Sequence, residues 1–431
     1  MHQMSGTSAL VAPRQAAESR TRSWMLSPYS LPLHMLRIAG SCALQLIMWF
    51  ALGRVVRWGL LLLAATVSHG SWYQARLILT VFLFTLVVMT SLATTVGMLH
   101  VIRGALMETR ARRAAGEGRE GIFGALNRTA LLFAGIYMTW GFVDQDVRDF
   151  ENIDIFRQPD RLWVDRFAHE ESTVAHGLTG LDATVSLVIM GVAFLVKMYF
   201  GRRHEANEGR FSGVLATFGE LAFVFYGLNA VAAAVGARSE WMGKRTAVAA
   251  LREWVTNAEA NVPGFAAFSE FLGNVWPYVV EALILPLAWL TVGVLVYGAY
   301  VEDTETTIRG TRLETVAARM QQTHTLTRRA AARLTAGWTE RWIPLINSLR
   351  LTIRGGAPLF GLFALCYVGL RVGSDYLGRA GRYLLASDEP YFWFVTDVPV
   401  DFIAELLTAT LTMCLIAATF DLAATRSRLG R

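Results

Sequence analysis

Long apolar runs recur along almost the whole chain, each near the roughly 20 residues that a helix needs to cross a bilayer core. No other feature constrains the fold as hard. The runs cover about 38–67, 77–102, 122–142, 177–200, 212–236, 275–300, 357–377 and 401–424. Hydrophobic side chains make up 54% of the chain and charged ones only 17%. A soluble globule carries more charge. The expected fold is all-α, a polytopic helical transmembrane bundle of about eight spans. The first run is the irregular one, because Arg54 and Arg57 interrupt it. It reads as a shorter span led by an interfacial helix, or as a pair of half-spans.

The arginines set the topology. Segments 103–121, 201–211 and 301–356, the head and the tail are all arginine-rich. With eight spans these basic segments fall on one side, and positive charge stays cytoplasmic because moving it across is costly. Both termini are therefore expected inside. Residues 1–31 read as a disordered cytoplasmic tail. Residues 32–300 hold the first six spans, with outside loops 143–176 and 237–274. Residues 301–356 read as a cytoplasmic helical segment, 357–424 as the last two spans and 425–431 as a basic tail. The net charge of +6 thus belongs to a membrane surface and not to a nucleic-acid interface. Lysine occurs only at Lys197 and Lys244, which suggests a GC-rich genome and hence a bacterial inner membrane.

Within 301–356, Leu334, Trp338, Trp342, Leu345 and Leu349 recur at helical spacing, flanked by Arg328, Arg329, Arg333 and Arg341. Arginine with tryptophan on one amphipathic helix suits an anionic lipid surface. So 328–349 is expected to meet anionic headgroups, or else a partner subunit. The outside segment 143–176 carries Asp144, Asp146, Asp149, Glu151 and Asp154. The turn glycine of an EF-hand is missing, and interleaved arginines favour a solvated acidic loop. Asp144 and Asp146 are the candidate metal ligands. Their D-x-D pair resembles that of lipid-linked glycosyltransferases, and this resemblance implies a divalent metal and a membrane-enzyme reading.

No phosphate-binding loop, zinc-protease motif, nucleophile elbow or C-x-x-C is present, so no cofactor is evident. Cys42, Cys366 and Cys414 all lie in apolar runs and act there as small hydrophobes.

Charges inside the spans are the candidate functional residues, since burying them in lipid is expensive. At about 1.5 Å per residue, Glu281, Asp182, Glu405 and Arg371 come out at one level, about 6–9 Å below the outer edge. Three acids facing one arginine leave surplus charge, which must be protonated, hydrated or bound to a cation. Pro286 follows Glu281 in the same span, kinks the helix and frees a carbonyl. Asn229 and Tyr226 add polar groups. A second level, nearer the inside, holds Arg128 and Glu220, expected to form a structural ion pair. Lys197 and Asp421 lie near inner span ends, where they snorkel to the surface. Gly361, Gly369 and Gly373 form a small-residue face for close helix approach.

These residues suggest a transporter or channel for a small cation, proton or proton-coupled solute. Glu281, Glu405, Asp182, Arg371 and Asn229 would line its outer-half pathway. The alternative is a non-catalytic subunit or scaffold of a membrane complex, with homo-oligomer or partner contacts. An enzyme on a lipid-linked substrate ranks third.

Overall fold

The computed structural model describes residues 27–69, 73–116, 121–140, 142–157, 183–206, 209, 211–242, 265–297, 356–385 and 390–429. Among the described residues every regular element is a helix, and none is a strand. The helices are α1 (Leu31–Val67), α2 (Tyr73–Ile102), α3 (Met107–Ala114), α4 (Ile122–Thr139), α5 (Phe142–Arg157), α6 (Ala183–Glu205) and α7 (Ser212–Met242). They continue with α8 (Phe265–Val279), a π-helical turn at Val280–Ile284, α9 (Leu285–Tyr297), α10 (Ala357–Leu384) and α11 (Pro390–Leu429).

Seven stretches are long and apolar enough to cross a membrane, judged by length and composition: Pro28–Val67, Ala75–Ile102, Ile122–Thr139, Thr184–His204, Gly273–Tyr297, Ala357–Leu384 and Thr396–Arg426. Such a set is consistent with an integral membrane protein. The run expected at 212–236 is carried by α7, where the apolar stretch Ser212–Gly227 is shorter. The first run is one unbroken helix, not a pair of half-spans. The chain forms two compact units. One comprises Met1–Phe50, Gly97–Glu120 and Pro286–Arg431, and the other Ala51–Val96 and Gly121–Leu285.

The first unit is built around the C-terminal half of α11. Residues 412–425 are buried without a break, as befits a helix that is apolar on every face. Tyr297 of α9 lies against Phe420, ring centroids 4.8 Å apart, and Ile416 leans on Gly293. Earlier in α11, Val400 packs on Gly381 of α10, and Arg382 reaches Asp397 at 2.9 Å and Asp401 at 2.8 Å. The small-residue face of α10 is open: a methyl added at Gly361, Gly369 or Gly373 would meet nothing within 4 Å among the described residues. The close helix approach expected there is not made by the described residues.

In the second unit the chain after Ala51 and the first part of α2 run antiparallel. Gly53 permits this, because a Cβ there would stand 2.1 Å from the Thr94 hydroxyl oxygen. Leu61, Ala64 and Ala65 of α1 bury against Leu83, Phe84 and Val87 of α2 and Phe150 of α5. Between apolar helices such contacts hold through close van der Waals packing, which the small Ala64 and Ala65 permit. α6 and α7 form a tight antiparallel pair. Gly219 sits so close to α6 that an added Cβ would lie 2.8 Å from the Lys197 backbone nitrogen. Tyr226 of α7 packs with Leu77 and Val81 of α2 and donates its hydroxyl to the Ile78 carbonyl at 2.9 Å.

Candidate functional site

The acidic segment after α4 is not a solvated loop. Residues 142–157 form α5, in which Asp146, Phe150 and Asp154 follow at intervals of four and are all buried. Residues four apart share a helix face, so one stripe of α5 carries acid, ring, acid. Each member meets a partner within the second unit. Arg57 donates through Nε to Asp146 Oδ1 at 2.8 Å and through Nη2 to Asp149 Oδ2 at 2.6 Å. Its Nη2 also bonds Asp146. The Tyr137 hydroxyl donates to the other oxygen of Asp146, with Ser91 3.5 Å behind it. Phe150 meets Phe84 edge-on, centroids 5.5 Å apart. Further along, His69 Nε2 lies 2.6 Å from Asp154 Oδ1. Since Arg57 pairs with Asp146 and His69 with Asp154, α5 runs parallel to the end of α1.

This arrangement explains the arginines that made the first run irregular. α1 has 37 residues, so at 1.5 Å per residue it is about 55 Å long, against a hydrocarbon core of about 30 Å. A helix of this length outlasts a single crossing, and the Arg57 guanidinium near its end meets carboxylates delivered by α5. Two acids share one permanent cation, and the cluster holds one more carboxylate than it neutralises. Burial pushes the Asp146 carboxyl above the ordinary carboxylate range, against the opposing pull of Arg57 and Tyr137. Asp149 is the solvent-facing member, 37% exposed.

Asp421 is equally far from snorkelling. It is fully buried and takes hydrogen bonds from the backbone N–H of Met107 at 2.9 Å and of Glu108 at 2.7 Å. His34 Nε2 lies 3.0 Å away. A carboxylate from another helix thus supplies the partner that the first N–H groups of α3 lack. Lys197 does not snorkel either; its ammonium donates to Glu220 at 2.8 Å and ties α6 to α7. α4, which carries Arg128, packs on α7, which carries Glu220.

Glu281 lies in the π-helical turn, where the Leu285 N–H reaches back five residues to the Val280 carbonyl. Proline has no N–H to donate and its ring crowds the preceding turn. Pro286, two residues after the turn, and Pro277 in α8 before it make this span irregular. Glu281 is exposed and Pro286 buried. Glu281 belongs to the second unit; Glu405, half-buried, and Arg371, exposed, belong to the first. Each of Glu281, Glu405, Arg371 and Arg128 is engaged with at least one other group. Asn229 is on α7. Asp182 and the surface-helix residues Arg333, Trp338, Arg341 and Trp342 lie outside the described residues. Asp144 is exposed at the start of α5, and Asp146 is occupied by Arg57 and Tyr137. Among the described residues no group of three or more His, Cys, Asp or Glu is placed to hold a metal.

No family model, curated protein or solved structure matches this chain. The geometry therefore carries the functional reading without support from relatives.

Sequence reasoning passed over Tyr137 and His69, read Asp154 only as part of a solvated acidic loop, and assigned Asp421 no role. The period of four at Asp146, Phe150 and Asp154 is the signal that could have found α5. For Asp421 there is no local signal, because its partners are more than 300 residues away in the chain.

Proposed function

We propose that the protein moves a small cation, a proton or a proton-coupled solute across its membrane, with Glu281 as the ion-handling acid. The observation that carries this reading is the π-helical turn bearing Glu281 between Pro277 and Pro286 in the span Gly273–Tyr297. Single π-turns within helices occur frequently at functional sites. Interrupted helices in transporters present backbone carbonyls to cations. In a regular helix the Ala282 carbonyl would accept from residue 286, and proline removes that donor. A carboxylate and a released carbonyl on one turn make an oxygen-rich position for a proton or cation. The test is flux into proteoliposomes of purified protein, scanned with a pH-sensitive dye and with monovalent cations. The wild type should exceed protein-free vesicles, and Glu281→Gln should abolish the excess at equal protein content. Normal flux in that variant removes Glu281 from the pathway.

A second reading, as a subunit of a membrane complex, draws on the open face of α10. Gly361, Gly369 and Gly373 leave room for a close helix neighbour, and Leu365 on the same helix is 69% exposed. Co-purification of a stoichiometric partner in mild detergent, together with absence of flux, would favour this reading over transport.

A further inference from the structure

We propose that α3 forms an anionic-lipid binding site at the end of the first unit where α1 begins and α11 ends. The helix is short and basic, METRARRA, between the spans α2 and α4. Isolated eight-residue helices are unstable in water, so something must hold this one. Asp421 does so by accepting from the Met107 and Glu108 N–H groups. Leu106 just before the helix is fully buried. Glu108 completes the mounting: its side chain is 4% exposed and takes Arg112 Nε at 3.1 Å, with Arg428 Nε of α11 at 3.2 Å. His34 at the start of α1 joins through Asp421.

The consequence is a separation of charge. Both acids of this network, Asp421 and Glu108, are buried and spent on backbone N–H groups, His34 and arginines. Arg110 and Arg113 on the same short helix are exposed, as are Arg37 of α1 and Arg428 of α11. Arg110 is braced by a bond from Nε to the Gly104 carbonyl at 3.2 Å, which fixes its stem. Arginine presents a planar fork of donors that matches phosphate oxygens. A pair of exposed arginines on an anchored helix, beside the ends of apolar spans, is placed where lipid phosphates lie. The occupant that fits is the headgroup of an anionic phospholipid, and α3 is the element that reads it.

The test uses the full chain purified in detergent, titrated with phosphatidylglycerol or phosphatidylcholine and followed by native mass spectrometry. The wild type should prefer phosphatidylglycerol. Arg110→Ala/Arg113→Ala should lower that affinity on the order of 10-fold and leave phosphatidylcholine binding unchanged. Arg202→Ala/Arg203→Ala removes the same charge from the exposed end of α6 and should change it less than about 2-fold, since the α3 site and not the total charge binds the headgroup. Asp421→Asn should weaken phosphatidylglycerol binding although it makes the protein more positive, because it releases α3. Equal losses in the two arginine doubles, or tighter binding in Asp421→Asn, would show that net charge alone attracts lipid and would overturn the site. Displacement of phosphatidylglycerol by millimolar inorganic phosphate would reassign it to a soluble anion. Should Asp421→Asn fail to fold, the two arginine doubles decide.

Discussion

Replacing Arg57 by leucine should undo the mounting of α5, and the size of the effect follows from what is left behind. Asp146 would lose both of its bonds from the guanidinium and keep only the Tyr137 hydroxyl, in a place where it is 2% exposed. An uncompensated buried charge of this kind costs about 3–5 kcal/mol. Asp146→Asn is milder. Arg57 would retain Asp149, itself partly exposed, so the loss is about 1–2 kcal/mol. The double variant removes the charge that made the single leucine change costly. Its destabilisation should therefore fall short of the sum by about 0.5–3 kcal/mol, the range seen for directly coupled groups. Denaturant unfolding in detergent gives the three free energies, and hydrogen exchange localises the change to 142–157 with α6 and α7 unaffected. If the changes add to within about 0.5 kcal/mol, as for independent sites, the Arg57 cluster is not what holds α5.

Two further tests address packing and pH. Gly219→Ala should destabilise by about 1–3 kcal/mol, because the added methyl meets backbone atoms of Lys197 and Ala193 at 2.8 and 3.0 Å. Gly369→Ala, with open space around it, should be neutral or stabilise by up to about 1 kcal/mol through helix propensity; thermal unfolding of the two variants side by side checks both. The pH dependence of stability should report Asp146. Its folded-state carboxyl binds a proton more readily than in the unfolded chain, so the folded state gains stability below the ordinary carboxylate range. That gain is lost as pH rises through the higher folded value. Asp146→Asn, neutral throughout, should flatten the unfolding profile over that window; an unchanged slope would mean that Asp146 does not titrate there.

The apolar runs were legible because a bilayer imposes a length and a composition on every span. All-α architecture follows from them directly. What the runs hid is how far a helix outlasts its apolar part. Arg54 and Arg57 read as interruptions, yet α1 continues through them, since a helix satisfies its own backbone whatever surrounds it. α5 was hidden by composition: five acids within 144–154 read as solvent-facing, and only their spacing showed that Asp146 and Asp154 share a face. Asp421 shows the other limit. A carboxylate near a span end ordinarily reaches for water. Its capping of α3 depends on the fold bringing residues 107 and 421 together. Pro286 marked the irregular turn from sequence, since the absence of a donor at proline is a covalent fact.

Everything about transport depends on Glu281 meeting water and not lipid. The direct measurement is labelling of Glu281→Cys, with Cys42, Cys366 and Cys414 replaced by serine, by a charged, membrane-impermeant thiol reagent in sealed vesicles of known orientation. Reaction at a rate comparable to a loop cysteine, from one face of the membrane, is what the account predicts. A thiol that stays unreactive from both faces until the membrane is dissolved would place Glu281 against hydrocarbon and contradict it.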